Sequence, residues 1–225
     1  MKVTTDACLF GAWVAEEINN EKLIINNCMD IGTGTGLLSL MFAQKNDEVL
    51  IDAIEIDKDA ADQAKENAAS SPWNERIDII NADVRGFSFK HKYDLIISNP
   101  PFYENEIRSE TDSKNVAHHS EKLTLEELLL IIKNHLATKG SFFLLLPYKR
   151  NEEVKRFFKD HQLSISKILL VRHSVKHDYF RIMIKGSLSE KENKETGFDE
   201  ISIWDDKQQY TIEFTNLLKE YYLHL

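Results

Sequence analysis

At 225 residues, 42% of them hydrophobic and 29% charged, the chain has the composition of an ordinary soluble globular protein with room for one α/β domain and a sizeable core. No apolar run approaches the ~20 residues of a membrane span, and Met1-Lys2-Val3-Thr4-Thr5-Asp6 lacks a signal-peptide core, so a cytoplasmic protein without a membrane partner is expected. The net charge of −9 argues against a nucleic-acid partner for the surface as a whole, and leaves only a local basic region to meet one.

Strand and helix alternate along the chain. Cys8 and Cys28 lack metal-ligand spacing and read as small buried apolar residues in a reducing compartment. Leu23–Ile31 reads as a first strand that runs into a glycine loop, and Leu37–Gln44 as the helix the loop opens. Glycines at 32, 34 and 36 form G-x-G-x-G, whereas a dinucleotide fingerprint is G-x-G-x-x-G. Leu37 stands where the third glycine would fall, and starting from Gly34 puts Ser39 there, which leaves a dinucleotide as the weaker alternative. Glycine serves where backbone must turn sharply and approach a ligand closely. A sulfonium nucleoside such as S-adenosylmethionine has no pyrophosphate and needs no phosphate pair at the helix N-terminus.

Val49–Ile56 is a second strand, and a helix from Asp59 to Ala69 places Ala60, Ala61, Ala64 and Ala68 on one face. Glu55, at the end of that strand, is placed to accept both ribose hydroxyls; Asp57 lies on the same face and competes for the role. After a third strand, Arg76–Asn81, the run Asn81-Ala82-Asp83-Val84 sets Asp83, with Val84 beside it, to accept from an adenine amino group. A single acid at a strand end reads equally well as a helix cap or a solvated charge.

Tyr93–Ser98 is a fourth strand, followed at once by Asn99-Pro100-Pro101-Phe102. Asn-Pro alone marks only a turn. As a group these residues suit an amine whose lone pair is delocalised into a neighbouring π-system. Two acceptors, the Asn99 side-chain carbonyl and the Pro100 backbone carbonyl, can take its two N–H bonds and favour the pyramidal geometry of the transition state. Pro100 and Pro101 restrict the backbone so that the acceptors are pre-aimed, and Phe102 offers a stacking face. Tyr103–Ser120 is an 18-residue polar stretch expected to act as a substrate lid, with Arg108, Lys114, His118 and His119 as candidate RNA contacts. His118-His119 has no i,i+4 partner, and no metal is expected.

Thr124 and Glu127 form a capping box ahead of a stripe of Leu125, Leu128, Leu129, Ile132 and Leu136, with Gly140 at the C′ position. Ser141–Leu146 is an apolar strand, and Asn151–His161 a charged helix. Ser164–Arg172 and Tyr179–Lys185 are separated by a short stretch around Val175-Lys176-His177-Asp178, too short for a crossover helix, so this pair is antiparallel. Between Lys149 and Arg181 nine Lys/Arg stand against four Asp/Glu, with His161, His173 and His177 in the same window. Arg172, Lys176 and Arg181 are candidate phosphate contacts there. Gly186–Glu200 reads as an exposed polar loop, Ile201–Trp204 as a short strand and Thr211–Tyr222 as a last helix. Trp13, Trp73 and Trp204 read as packing residues. The pattern predicts a doubly wound, mostly parallel α/β sheet of seven strands with an antiparallel C-terminal hairpin, a single domain over 1–225, and ligands at the carboxyl ends of the strands.

The glycine loop and Asn99-Pro100-Pro101-Phe102 resemble class I S-adenosylmethionine-dependent methyltransferases of the amino-methylating branch, whose fourth motif is [D/N]-P-P-[F/Y/W]. Met1–Trp13, Ile51–Asp57 with the Ala-rich helix behind it, Leu123–Leu128 and the tail Tyr210–Phe214 … Tyr221-Tyr222-Leu223 narrow the resemblance to the bacterial tRNA1(Val) adenine-37 N6-methyltransferases. The resemblance implies that Asp30, Gly32, Gly34 and Gly36 line the methionine side of S-adenosylmethionine, that Glu55 binds its ribose and Asp83 its adenine, and that Asn99, Pro100 and Phe102 hold the target base, Asn99 bordering the cofactor as well. It implies tRNA as the partner. Two departures stand out. The family carries an aromatic and basic segment ahead of the stretch matching Met1-Lys2-Val3, so part of an RNA-binding surface or lid is expected to be missing, and Thr4 replaces a common glycine. Two alternatives carry different functions. Glutamine N5-methylation of a release factor uses a similar clamp, with Tyr where Phe102 stands and a helical N-terminal domain besides. A non-catalytic cofactor-binding scaffold predicts a degraded clamp.

Overall fold

A computed structural model describes residues 3–100, 123–188 and 195–224. In chain order the elements are α1 (Thr5–Asn20), β1 (Asn27–Ile31), α2 (Leu37–Lys45), β2 (Leu50–Glu55), α3 (Lys58–Ala69), β3 (Ile77–Asn81), β4 (Tyr93–Ser98), α4 (Leu125–His135), β5 (Leu136–Pro147), α5 (Asn151–Asp160), β6 (Leu163–Ser174), β7 (Tyr179–Leu188), β8 (Gly197–Trp204) and α6 (Ile212–Leu218). The strands form one sheet in the order β3-β2-β1-β4-β5-β7-β6-β8. The first five pair in parallel, β7 runs antiparallel between β5 and β6, and β8 lies parallel to β6.

Alternate side chains of the central strands face opposite ways, as the pleat requires. Leu95, Ile97, Phe143, Leu145 and Met183 point into one core, covered by α1, α2, α3 and α6. Ile96, Phe142, Leu144, Leu146, Ile182 and Ile184 point into the other, covered by α4 and α5. Among the described residues no helix is long and apolar enough to cross a membrane. Cys8 and Cys28 are buried free thiols, and burial raises both of their pKa values.

The first helix has no period in the sequence to announce it. Ala7 to Ala15 are buried without a break, so α1 is apolar all round rather than along one stripe. It lies so close to α2 that a Cβ on Gly11 would meet the Met41 sulfur at 2.7 Å. Its polar anchor is Glu17, which accepts from Lys167 Nζ at 2.7 Å and stands 3.5 Å from Lys185 Nζ. Lys185, 3% exposed in the middle of β7, also reaches Glu21 at 2.5 Å. Such a pair costs desolvation, and its value lies in fixing α1 across β6 and β7.

Five sequence expectations need correction. The sheet has eight strands rather than seven: the short strand expected at Ile201–Trp204 extends back to Gly197 and joins the same sheet beside β6. Its first four residues are all exposed, so no alternation marks them. The proposed exposed loop 186–200 shrinks: Gly186 to Leu188 belong to β7, and 189–194 lie outside the described residues. Gly140 is not a helix C′ residue. α4 ends at His135, and Gly140 sits inside β5, where a Cβ would come within 2.9 Å of the Tyr93 carbonyl oxygen. The first strand and last helix are shorter than the apolar pattern suggests, at Asn27–Ile31 and Ile212–Leu218. The capping box at Thr124 is present, with Thr124 Oγ1 accepting from Glu127 N at 3.2 Å and Glu127 accepting from Thr124 N at 2.8 Å.

Candidate active site

Two loops leave the sheet side by side. Ile31 at the end of β1 is the register partner of Ser98 at the end of β4, so Gly32 and Asn99 depart from neighbouring strands about 5 Å apart. Here the chain order reverses, the β1/β4 switch point where doubly wound sheets open a ligand crevice. Ser98 is fully buried, and its Oγ donates to the Ile31 carbonyl at 2.8 Å, stitching the two exits together.

The glycine loop is bound to β2 by two bonds, Gly32 N and Thr33 N donating to Ile54 O at 2.8 and 3.1 Å. Gly32, Gly34 and Gly36 have φ of +71°, +58° and +84°, the left-handed region in which a Cβ clashes with its own carbonyl. A Cβ built on Gly32 meets nothing within 4 Å, so open space lies beside the backbone at the mouth of the crevice.

Asp30 lies beneath the loop, fully buried. Its Oδ2 accepts from Thr33 Oγ1 and Ser39 Oγ, both at 2.7 Å, while its Oδ1 is buried and has no partner among the described residues. Burial pushes the Asp30 carboxyl up to about 6; the hydroxyls of Thr33 and Ser39 pull it back, and the nearby Glu55 charge adds to the rise. A buried carboxylate oxygen left without a donor is an acceptor awaiting a cation or an N–H group.

Glu55 and Asp57, indistinguishable in the sequence, separate here. Glu55 is buried and turned to the loop: Oε2 accepts from Gly34 N at 2.8 Å and Oε1 from Asp57 N at 2.9 Å. Asp57 is the N-cap of α3, accepting from Ala60 N at 2.8 Å. Each carboxylate oxygen has two lone pairs, so Glu55 retains acceptor capacity for two more donors. Asn81, which the sequence gave no reason to single out, donates to Glu55 O at 2.9 Å and Ile56 O at 3.1 Å and holds the β2 exit.

Asp83 stands after β3 with Val84 buried beside it. Both Asp83 oxygens accept from Arg85, at 2.9 Å from Nε and 2.6 Å from Nη2, and this bonding holds the Asp83 carboxyl below the usual carboxylate range. Arg85 in turn lies 3.8 Å from Glu127 on α4. Asn99 is half-buried and Pro100 buried. Pro101, Phe102 and the expected lid Tyr103–Ser120, with Arg108, Lys114, His118 and His119, lie outside the described residues.

The basic hairpin is already partly paired. Arg172 donates to Glu200 at 3.0 Å and to Tyr179, and Arg181 donates to Asp6 at 2.7 Å. Lys176 is exposed in the turn. Trp13 packs edge-on against Phe143 in the core, as expected of a packing residue.

Residues 12–162 match the family model of the methyltransferase small domain. A Dyadobacter fermentans protein named tRNA1(Val) (adenine(37)-N6)-methyltransferase is 37% identical over 224 residues, covering 99% of this chain and 91% of its own. An Aliivibrio salmonicida protein of the same name is 33% identical, covering 100% and 92%. Among solved structures, an S-adenosylmethionine-dependent methyltransferase from Clostridium acetobutylicum superposes with a TM-score of 0.58 at 15% identity, covering 81% of this chain and 92% of its own. That likeness shows the class I methyltransferase fold.

Proposed function

The chain belongs to the tRNA1(Val) (adenine(37)-N6)-methyltransferase family, and from that premise we propose that it methylates N6 of an unpaired adenine in a tRNA anticodon loop, adenine 37 of tRNA1(Val). The observation that carries the proposal is the adjacency of the two exits: the glycine loop of β1 and the Asn99-Pro100 turn of β4 open onto one crevice from register-paired strands.

S-adenosylmethionine, when bound, supplies an electrophilic methyl group on a sulfonium. The orphaned Asp30 Oδ1 suits its ammonium, Glu55 has lone pairs for its ribose hydroxyls, and the open side of Gly32 admits its bulk. Asp83, held ionised by its Arg85 partner, would accept from the adenine amino group, and the buried Val84 next to it would offer an apolar side to the ring.

Asn99 and Pro100 act on the target. Their two carbonyl oxygens accept the N6 hydrogens, drawing the nitrogen lone pair out of conjugation and aiming it at the methyl. Phe102 stacks on the extruded base, which an anticodon loop releases at less cost than a duplex would. No strong base is needed, because the N-methylated cation is acidic enough to lose its proton to water after transfer. Holding two reactants in line then supplies most of the rate. A tRNA substrate places the enzyme in the cytoplasm.

Labelled cofactor incubated with bulk tRNA, or with a release factor, tests the proposal. Label recovered as N6-methyladenosine in tRNA is the expected outcome. Label confined to a protein glutamine would replace it with the N5-methyltransferase reading, and bound cofactor with no transfer would favour a scaffold.

A further inference from the structure

A pocket lies on the same rim of the sheet, two strands over from the Asn99 exit. It holds about 270 Å³ and is lined by Thr5 and Asp6 at the start of α1, His173 on β6, Phe180 and Arg181 on β7, and Ile203 and Trp204 on β8. Its place follows from the strand register. Ser98 pairs with Leu144 of β5, while Arg181 pairs with Pro147, three residues farther along that strand. Arg181 therefore stands two strands over from the Asn99 exit, roughly 14 Å from Ser98 by strand spacing and rise. That is a distance a few nucleotides of single-stranded RNA span.

The lining is built for one flat, uncharged ring. Trp204 stacks on Tyr210 with centroids 4.1 Å apart and planes at 21°, and Tyr210 stacks on Phe214 at 4.7 Å and 18°. The three rings form a stacked column, and its end member, Trp204, is part of the pocket wall. Around it stand edge groups of both kinds: the Asp6 carboxylate, the Arg181 guanidinium 2.7 Å from it, the His173 imidazole and the Thr5 hydroxyl. Asp6 neutralises Arg181, which disfavours a free phosphate or polyphosphate. The volume lies below the ~300–1,000 Å³ of common ligand pockets, room for a base but not for a second nucleoside cofactor.

We propose that this pocket receives a second unpaired nucleobase of the RNA, one flanking the methylated adenine, stacked on Trp204 and read along its edge by the Asp6–Arg181 pair and His173. This rests on the tRNA reading above and adds a recognition element to it. The pocket, rather than a continuous positive patch, then fixes which loop adenine reaches Asn99.

The test is methylation of an anticodon stem-loop RNA by wild type, Trp204→Leu and His173→Ala, with each neighbour of the target replaced in turn by an abasic nucleotide. Losing the stack is expected to raise the RNA KM about tenfold, leaving kcat and S-adenosylmethionine affinity unchanged. One abasic neighbour should raise the wild-type KM equally and add nothing in Trp204→Leu. KM unchanged in both variants, or abasic penalties that add in full, would overturn the pocket while wild-type methylation upholds the tRNA reading. Failure of wild type to methylate the unmodified stem-loop would overturn that reading and the pocket with it. Should Trp204→Leu lose cofactor affinity, the same cycle with exposed His173 decides by the same criteria.

Discussion

Asp30 is the residue whose surroundings make the sharpest demand. Its carboxyl, ordinarily near 3.8, is raised to about 6 chiefly by burial. Between those values the folded protein holds a proton that the unfolded chain has released, so stability falls as pH rises through that window. A cofactor ammonium bound by the ionised form has the opposite preference. S-adenosylmethionine affinity is therefore expected to drop as pH falls through about 6, approaching tenfold per pH unit below it. Calorimetric titrations and urea melts between about pH 5 and 7.5 read both trends, and Asp30→Asn should flatten both. Identical profiles in wild type and variant would place the linkage elsewhere. The places of Glu55 and the three glycines at strand exits were legible in the sequence because a strand end fixes position, and Asp30 was singled out by the resemblance. Thr33, Ser39 and Ser98 were not, since their value lies in partners that only the folded loop supplies. Nor did spacing reveal that Arg85 engages Asp83, or that Asp57 is spent on the α3 cap.

At the scale of elements, periodic segments were legible and aperiodic ones were not. The apolar run before Asn99, the Thr124–Glu127 box with its helical stripe and the short link between two apolar segments gave β4, the start of α4 and the antiparallel hairpin nearly to the residue. α1 escaped because burial all round erases a helical stripe, and the start of β8 because exposure all round erases alternation. Gly186 is the most telling case. It reads as the start of a loop, yet a Cβ there would lie 2.3 Å from Phe142 Cζ and 2.5 Å from the Ser164 carbonyl oxygen. Gly197, at the other end of the same stretch, has nothing nearer than 3.6 Å. Gly186→Ala is accordingly expected to cost more than about 2 kcal/mol in urea melts, and Gly197→Ala less than about 1. Equal, small effects would show that β7 does not run through Gly186 between β5 and β6.

For the whole molecule, fold class and crevice followed from the order of strands and glycines, whereas the surface that meets RNA did not follow from charge. A basic window in a chain of net charge −9 suggested phosphate contacts at Arg172 and Arg181, but folding brings Glu200 and Asp6 onto those two guanidiniums. The base pocket proposed above accordingly relies on stacking at the rim rather than on these two guanidiniums, in keeping with a splayed loop as substrate. In the proposed mechanism the two exits from β1 and β4 divide the work, one holding the cofactor and the other activating the amine. Single-turnover methylation of tRNA by Asn99→Ala, alongside its S-adenosylmethionine Kd, tests that division most directly. The methyl-transfer rate is expected to fall about a hundredfold or more, with the cofactor Kd changed far less. A near-normal rate, or a loss accounted for entirely by weakened cofactor binding, would contradict it.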